Sequence, residues 1–136
     1  MRSYRFTAAS GGERDENEVR LDFNTAKVVG NVRYGQHFLF YQNMLKWLYV
    51  DYTDIVWVYR RLEDVKSRLC CGTAGFEVHS LMLVTKEKKR LGIPVGGREY
   101  AVEGLNIIGL RNPFADVGYT KEKEEKYLGC ETETSV

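Results

Sequence analysis

The feature that most constrains this chain is a series of aromatic and β-branched runs between residues 37 and 59. The strongest run is Ile55-Val56-Trp57-Val58-Tyr59, and two others precede it at 37–41 and 46–52. Rings and branched side chains fit the pleated surface of a sheet better than the surface of a helix. Turn-forming residues separate the runs, so they predict short strands joined by hairpins.

The next segment continues the strand pattern. Residues 76–85 predict a long strand, the charged run 86–90 a hairpin tip, and residues 91–95 the returning strand. Residues 63–75 lack a clear period and predict a loop or an irregular edge. Residues 28–32 favour a short strand, with a helix over 16–29 as the alternative.

One helix is predicted over residues 98–110. Apolar or small residues recur there at helical spacing on one stripe, and Asn112-Pro113 ends the pattern. Short antiparallel strands cannot bury both faces of a sheet alone, so the helix is expected to cover the open side. The predicted fold is mainly β with one C-terminal helix, an α+β arrangement in which the helix caps a partly open antiparallel barrel. The stripe consists of Ala101, Val102, Leu105, Ile108 and Gly109.

Size and charge favour one domain. The chain has 136 residues, with 20 Lys and Arg against 19 Asp and Glu. This near-neutral balance disfavours nucleic acid as a partner. We expect a flexible segment over 1–18, a single domain over 19–120 and a charged tail over 121–136, and each end is expected to be a short solvated helix or a frayed tail. Three cysteines, two of them adjacent, do not suit a disulfide framework, and with no apparent signal peptide they predict a cytoplasmic location.

Several short motifs resemble those of a known family. Tyr52-x-Asp54-Ile55 leads into a strand that carries an aromatic pair, Ile93-Pro94-Val95 precedes the helix, and Asn112-Pro113 follows the helix and runs on to Val117-Gly118-Tyr119. This order is similar to small bacterial pleckstrin-homology-like domains of unknown function over about residues 34–120. The resemblance implies a partly open barrel plugged by a C-terminal helix, and it implies no catalytic residue.

Two groups of residues are candidates for partner or anion binding. Basic residues cluster in two segments, and if their hairpin ends converge they form one basic surface for an acidic protein or an anionic membrane surface. The tryptophans belong to a surplus of rings that one small core cannot hold, so some are expected on an exposed aromatic face. The candidates are Arg60, Arg61, Lys66, Arg68, Lys88, Lys89, Arg90, Trp47 and Trp57.

Reaction chemistry finds little support in the sequence. Cys71 and His79 could form a nucleophilic pair or a redox site at the barrel mouth, but no orienting group or oxyanion cradle accompanies them. Adjacent cysteines, Cys70 and Cys71, are poorly spaced for a metal ion. Asp51 and Asp54 flank a turn, where carboxylates commonly bond the backbone. No metal and no cofactor is predicted.

The sequence therefore predicts a binding or scaffolding module without enzymatic activity. It would use its aromatic strand face, a strand edge or its basic loops to hold a protein partner or a second copy of itself. Contact with the periphery of an anionic membrane stays open. The alternative is a small-ligand-binding barrel with a weak hydrolase or redox site near Cys71 and His79.

Overall fold

The computed structural model describes residues 6–66 and 75–134, which form nine strands and three helices. The strands are β1 Phe6–Ala8, β2 Lys27–Val29, β3 Val32–Tyr34, β4 Phe38–Asn43, β5 Lys46–Asp51, β6 Ile55–Lys66, β7 Gly75–Thr85, β8 Arg90–Pro94 and β9 Asp116–Val117. The helices are α1 Glu16–Asn24, α2 Arg98–Arg111 and α3 Lys121–Thr134.

The first sheet has the strand order β1-β5-β4-β3-β2. Strands β2 to β5 form an antiparallel meander, in which Phe40 stands opposite Tyr49. The predicted strands at 37–41 and 46–52 are confirmed as β4 and β5. The strand predicted over 28–32 is instead a hairpin, because Gly30 adopts a φ of +62° and turns the chain between β2 and β3. The alternative helix also forms in part, as α1.

The second sheet has the order β8-β7-β6-β9. Strands β6, β7 and β8 are antiparallel, and the charged hairpin tip before Arg90 is confirmed. The prediction of a loop from residue 63 is wrong at its ends, since β6 continues to Lys66 and β7 begins at Gly75. Two short strands depart from the antiparallel expectation, because β1 pairs parallel with β5, and β9 pairs parallel with β6.

The main core lies between the inner faces of the two sheets and is closed by α2. It contains Leu39 and Val50 from the first sheet, Leu81 from the second, and Ile108 from α2. The mainly β, α+β fold with α2 over the core is confirmed. The predicted apolar stripe is wrong at Val102, which is exposed; Gly104 is buried in its place because its missing side chain lets the helix approach Tyr34.

Two further helices, α1 and α3, lie outside this core. Helix α1 packs Val19 and Phe23 onto an aromatic cluster on the outer face of the first sheet. Helix α3 places Leu128 on the outer face of the second sheet, beside Trp57. Segment 1–18 thus includes β1 and the beginning of α1, and segment 121–136 includes α3.

Candidate functional site

The side of β6 that faces away from β7 is only partly paired. Strand β9 pairs with it at Trp57 and Val58, and the Gly118 N–H donates to the Val58 carbonyl over 2.9 Å. Main-chain groups alternate in direction along a strand, so those of Arg60 and Leu62 point to the same side as the Val58 carbonyl. No strand among the described residues pairs with them there. We call residues 60–64 on this side the β6 edge.

A cleft of about 380 Å³ lies beside the β6 edge. Successive side chains of a strand point to opposite faces, so Arg60 and Arg61 reach the cleft from the two sides of the edge. Arg90 enters it from the beginning of β8. We call this the arginine cleft, and its lining residues are Tyr59, Arg60, Arg61, Leu62, Arg90, Tyr119 and Glu124.

Two guanidinium groups of the arginine cleft, those of Arg60 and Arg90, form no ion pair with a carboxylate of the described residues. In the described part of the chain, Arg60 makes no ion pair, and Arg90 has only a long hydrogen bond of 3.5 Å from its Nη1 to the Tyr59 hydroxyl. Arg61 does pair with Glu63, at 3.0 Å and with both side chains about half exposed. Unpaired guanidinium groups have donors left for a carboxylate or phosphate ligand.

One carboxylate borders the same cleft. The Tyr119 hydroxyl donates a hydrogen bond to Glu124 of α3. This bond, with some desolvation, raises the pKa of the Tyr119 phenol above its usual value. Glu124 therefore already has a hydrogen-bond partner, and among the described residues of the cleft lining it is the one carboxylate that would repel an acidic ligand.

The structure brings together only part of the predicted basic surface. Arg60, Arg61 and Arg90 line one cleft, whereas Lys88 is exposed in the hairpin turn and the Lys89 ammonium donates to the Ala9 carbonyl over 2.9 Å. Lys66 ends β6, and Arg68 lies outside the described residues. Of the two predicted basic segments, the structure thus brings Arg60, Arg61 and Arg90 together in one cleft, and their role in binding stays a prediction.

The expectation of an exposed aromatic face is wrong for Trp57. Its side chain is 0% exposed, stacks on Tyr127 of α3 at 5.4 Å and donates its Nε1–H to the Gly118 carbonyl. Trp47 is partly exposed and packs edge-on against Phe23 of α1 at 4.9 Å. Most rings of β4, β5 and β6 are buried, because α1 and α3 build separate clusters over the outer faces of the two sheets, whereas Phe114 and Tyr119 stay exposed.

The alternative chemistry near residues 71 and 79 is only partly visible. His79 lies on β7 with its Nδ1 buried, whereas Cys70 and Cys71 lie outside the described residues. Within 6–66 and 75–134, no three His, Cys, Asp or Glu side chains are grouped so as to hold a metal ion. The pairing of Cys71 with His79 therefore stays a prediction.

The acidic residues near the turn at 52–54 have structural partners. Asp51 accepts a hydrogen bond from the Thr53 N–H at 2.9 Å, and the Arg14 guanidinium lies 3.4 Å from Asp51 and 3.3 Å from Asp54. Arg14 thus ties the N-terminal segment to this turn. Sequence reasoning considered these carboxylates but missed their cation, because Arg14 lies 37 residues before Asp51 and 40 before Asp54.

The β6 edge itself was missed as a particular site. In its sequence, Arg60-Arg61-Leu62-Glu63-Asp64, the side-chain charge changes from positive to negative on either side of the central leucine. That sign reversal was the available signal. Because residues 63–75 were expected to form a loop, the five residues were not considered together as one strand.

These features define a class of domain in which two mainly antiparallel sheets enclose a core, helices cover their outer faces, and one sheet presents a basic, partly free edge. The chain belongs to the family described as a domain of unknown function, DUF6709, whose profile matches residues 9–127. Among curated proteins and among solved structures, none matches the chain. In the described part of the chain, no helix has the length and apolar character needed to cross a bilayer.

Proposed function

We propose that this chain is a binding module without enzymatic activity, and that it accepts an extended, acidic segment as an added strand along the β6 edge. The pleckstrin-homology-like character belongs to this proposal. It is supported by the order of elements, in which the meander β2–β5 and the strands β6–β8 precede the covering helix α2.

The observation that carries the proposal is the position of the arginine cleft next to unpaired main chain. An added strand would form main-chain hydrogen bonds with the N–H and C=O groups of Arg60 and Leu62. These bonds supply affinity that does not depend on the sequence of the added strand. Acidic side chains of that strand would meet the guanidinium groups of Arg60 and Arg90, which supply charge selectivity. Exposed, partly apolar strand edges are a general site of strand addition.

The test uses a labelled peptide of four Val-Glu repeats and a matched peptide of four Val-Lys repeats. Fluorescence anisotropy should show binding of the Val-Glu peptide only, weakening as salt rises, because exposed charge pairs are screened. The glutamates of this peptide all lie on one face of the added strand, so either Arg60→Ala or Arg90→Ala, according to the face they take, should weaken binding by about fivefold. Glu124→Gln should strengthen it, because a repulsive carboxylate is removed.

Lys86→Ala is the control for charge alone, because Lys86 lies in the hairpin turn and is not part of the cleft lining. Its binding should equal that of the unchanged protein. Leu62→Pro removes one edge N–H and should weaken binding more than Leu62→Ala does. Equal binding of the two peptides, or no difference between the proline and alanine variants, would refute strand addition at this edge.

A further inference from the structure

The occupant of the β6 edge can be inferred from the edge itself. Residues 60–64 read Arg-Arg-Leu-Glu-Asp, so the strand carries both the basic residues and the acidic residues that an added strand needs. We propose that the partner is a second copy of this chain, which pairs antiparallel with the first through β6. This inference rests on the proposed function and names its ligand, because the acidic half of one β6 edge is the acidic segment that the arginine half of the other accepts.

The hydrogen-bonding pattern permits a two-fold pairing at this edge. The main-chain groups of Leu62 point away from β7, on the same side as the Val58 carbonyl that accepts from Gly118. If the two-fold axis passes through Leu62, the two leucines exchange both N–H···O bonds. Residue 60 of each copy then faces residue 64 of the other, in the same hydrogen-bonded orientation.

The charges select this register among the possible ones. An axis through Leu62 places Arg61 opposite Glu63 of the second copy, and Arg60 opposite an aspartate. An axis through residue 60 or 61 places two arginines opposite each other, and an axis through Glu63 places two glutamates together. Like charges directly opposite are destabilising in a sheet, whereas opposite charges stabilise it.

The exposure of the Leu62 side chain and the length of β6 that β9 leaves free fit the same arrangement. The Leu62 side chain is 53% exposed, although it lies in a long strand of the second sheet, and the pairing would bury it at the centre of the interface. Strand β9 occupies β6 at Trp57 and Val58. This leaves the five residues of the β6 edge for the partner. The pair would join β8-β7-β6 of each copy into one sheet of six strands.

The existing ion pair does not oppose this arrangement. Arg61 and Glu63 of one copy lie on the same face of β6 and contact each other at 3.0 Å. In the pair, each would also stand across from its opposite charge, which gives a network of four alternating charges. Such a symmetric interface is isologous, so one substitution changes it twice.

Charge exchange provides the sharpest test. Arg61→Glu places glutamates opposite glutamates, and Glu63→Arg places arginines opposite arginines, so each variant should weaken association about tenfold or more in sedimentation velocity. The double variant Arg61→Glu/Glu63→Arg keeps the alternation and should restore association. An equimolar mixture of the two single variants should form a mixed dimer, because their charges are complementary.

The outcomes separate this inference from the proposed function. Lys86→Glu serves as the control and should associate like the unchanged protein. If the unchanged protein stays monomeric at all concentrations yet binds the Val-Glu peptide, self-pairing is overturned and strand addition stands. If it neither associates nor binds that peptide, both fail. Association that persists in both single variants would place any dimer interface elsewhere and overturn the inference.

Discussion

The carboxylate of Asp22 lies against the main chain of Gly35, so closely that a Cβ on Gly35 would come within 2.2 Å of Oδ2. Asp22 lies in α1 and is buried, and its two oxygens accept hydrogen bonds from three successive N–H groups, those of Gln36, His37 and Phe38, at 2.8–3.1 Å. This carboxylate fastens the N-terminal helix to the turn between β3 and β4.

Substitutions at these two positions should both lower stability. Gly35→Ala introduces a clash with a carboxylate that three hydrogen bonds hold in place, so we expect a loss of about 1–3 kcal/mol in the free energy of unfolding. Asp22→Ala leaves three N–H groups without their acceptor and should cost about 2–3 kcal/mol. Urea unfolding measures both losses. The control is Gly12→Ala, where a Cβ meets nothing within 4 Å; an equal loss there would contradict the account.

Two glycines in α2 provide a matched pair of substitutions. A Cβ at Gly104 would lie 2.3 Å from the Tyr34 hydroxyl oxygen and 2.7 Å from a Leu81 methyl, whereas the nearest atom to a Cβ at Gly109 is 3.6 Å away. Gly104→Ala should therefore destabilise by about 1–3 kcal/mol because the helix must move off the sheet. Gly109→Ala should stabilise by up to about 1 kcal/mol through helix propensity. The opposite order in thermal unfolding would refute the close approach at Gly104.

The α2 segment also shows what sequence can predict. Local patterns predict the helix, its end at Asn112-Pro113 and the strands β4 to β8. They do so because side chains that are buried at regular intervals give apolar residues at the same intervals in the sequence. Residue type alone makes Gly104 and Gly109 equally good candidates for a close approach of the helix to the sheet. Only the packing distinguishes the two glycines. The side chains that a Cβ at Gly104 would meet, those of Tyr34 and Leu81, come from two strands that are distant in sequence.

The terminal helices were harder to predict for a related reason. Segments rich in charge look solvated when few of their residues are apolar. In α1, Val19 and Phe23 lie four residues apart, and α3 relies on Tyr127 and Leu128. Another part of the sequence did indicate covering helices, because β5 and β6 carry more aromatic rings than one small core can hold. That surplus favoured an exposed interface, but it can equally be satisfied by helices from the ends of the chain.

The buried side chain of Asn112 connects the end of α2 to the turn after β5. Its Nδ2 donates to the Tyr52 carbonyl at 2.6 Å and to the Ile55 carbonyl at 3.0 Å. Asn112→Asp would replace both donors by an oxygen facing two carbonyls, and should cost about 3 kcal/mol or more at neutral pH. Urea unfolding at several pH values measures this loss.

The pH dependence of Asn112→Asp tests the explanation. Burial beside two carbonyls should raise the pKa of the new carboxyl group in the folded state. A raised pKa means that the loss of stability relative to the unchanged protein becomes smaller as the pH falls, because the protonated acid can again donate one hydrogen bond. A loss that is the same at pH 4 and pH 8 would contradict this reason. Asn112→Ala is the control and should show no such dependence.

Two buried tyrosines should limit stability in alkali. Burial raises the pKa of the Tyr34 phenol above 10.0, with a further increase from the Glu103 carboxylate. Burial also raises the pKa of Tyr52, although Arg111 opposes it in part. Because the unfolded chain ionises these phenols at a lower pH than the folded chain, stability should be complete below about pH 10 and should fall as the pH rises further.

The two phenols differ in their hydrogen bonds, so phenylalanine substitutions should separate them. The Tyr52 hydroxyl donates to the Gly35 carbonyl at 2.9 Å, whereas the Tyr34 hydroxyl has no partner among the described residues. At pH 7, Tyr52→Phe should cost about 1 kcal/mol, and Tyr34→Phe should be neutral or stabilising because it removes an unsatisfied polar group. Above pH 10, each variant should lose less stability than the unchanged protein as the pH rises, because one ionisable group is gone. Urea unfolding at pH 7 and 10.5 measures both effects, and a large loss at pH 7 in Tyr34→Phe would show that its hydroxyl is bonded after all.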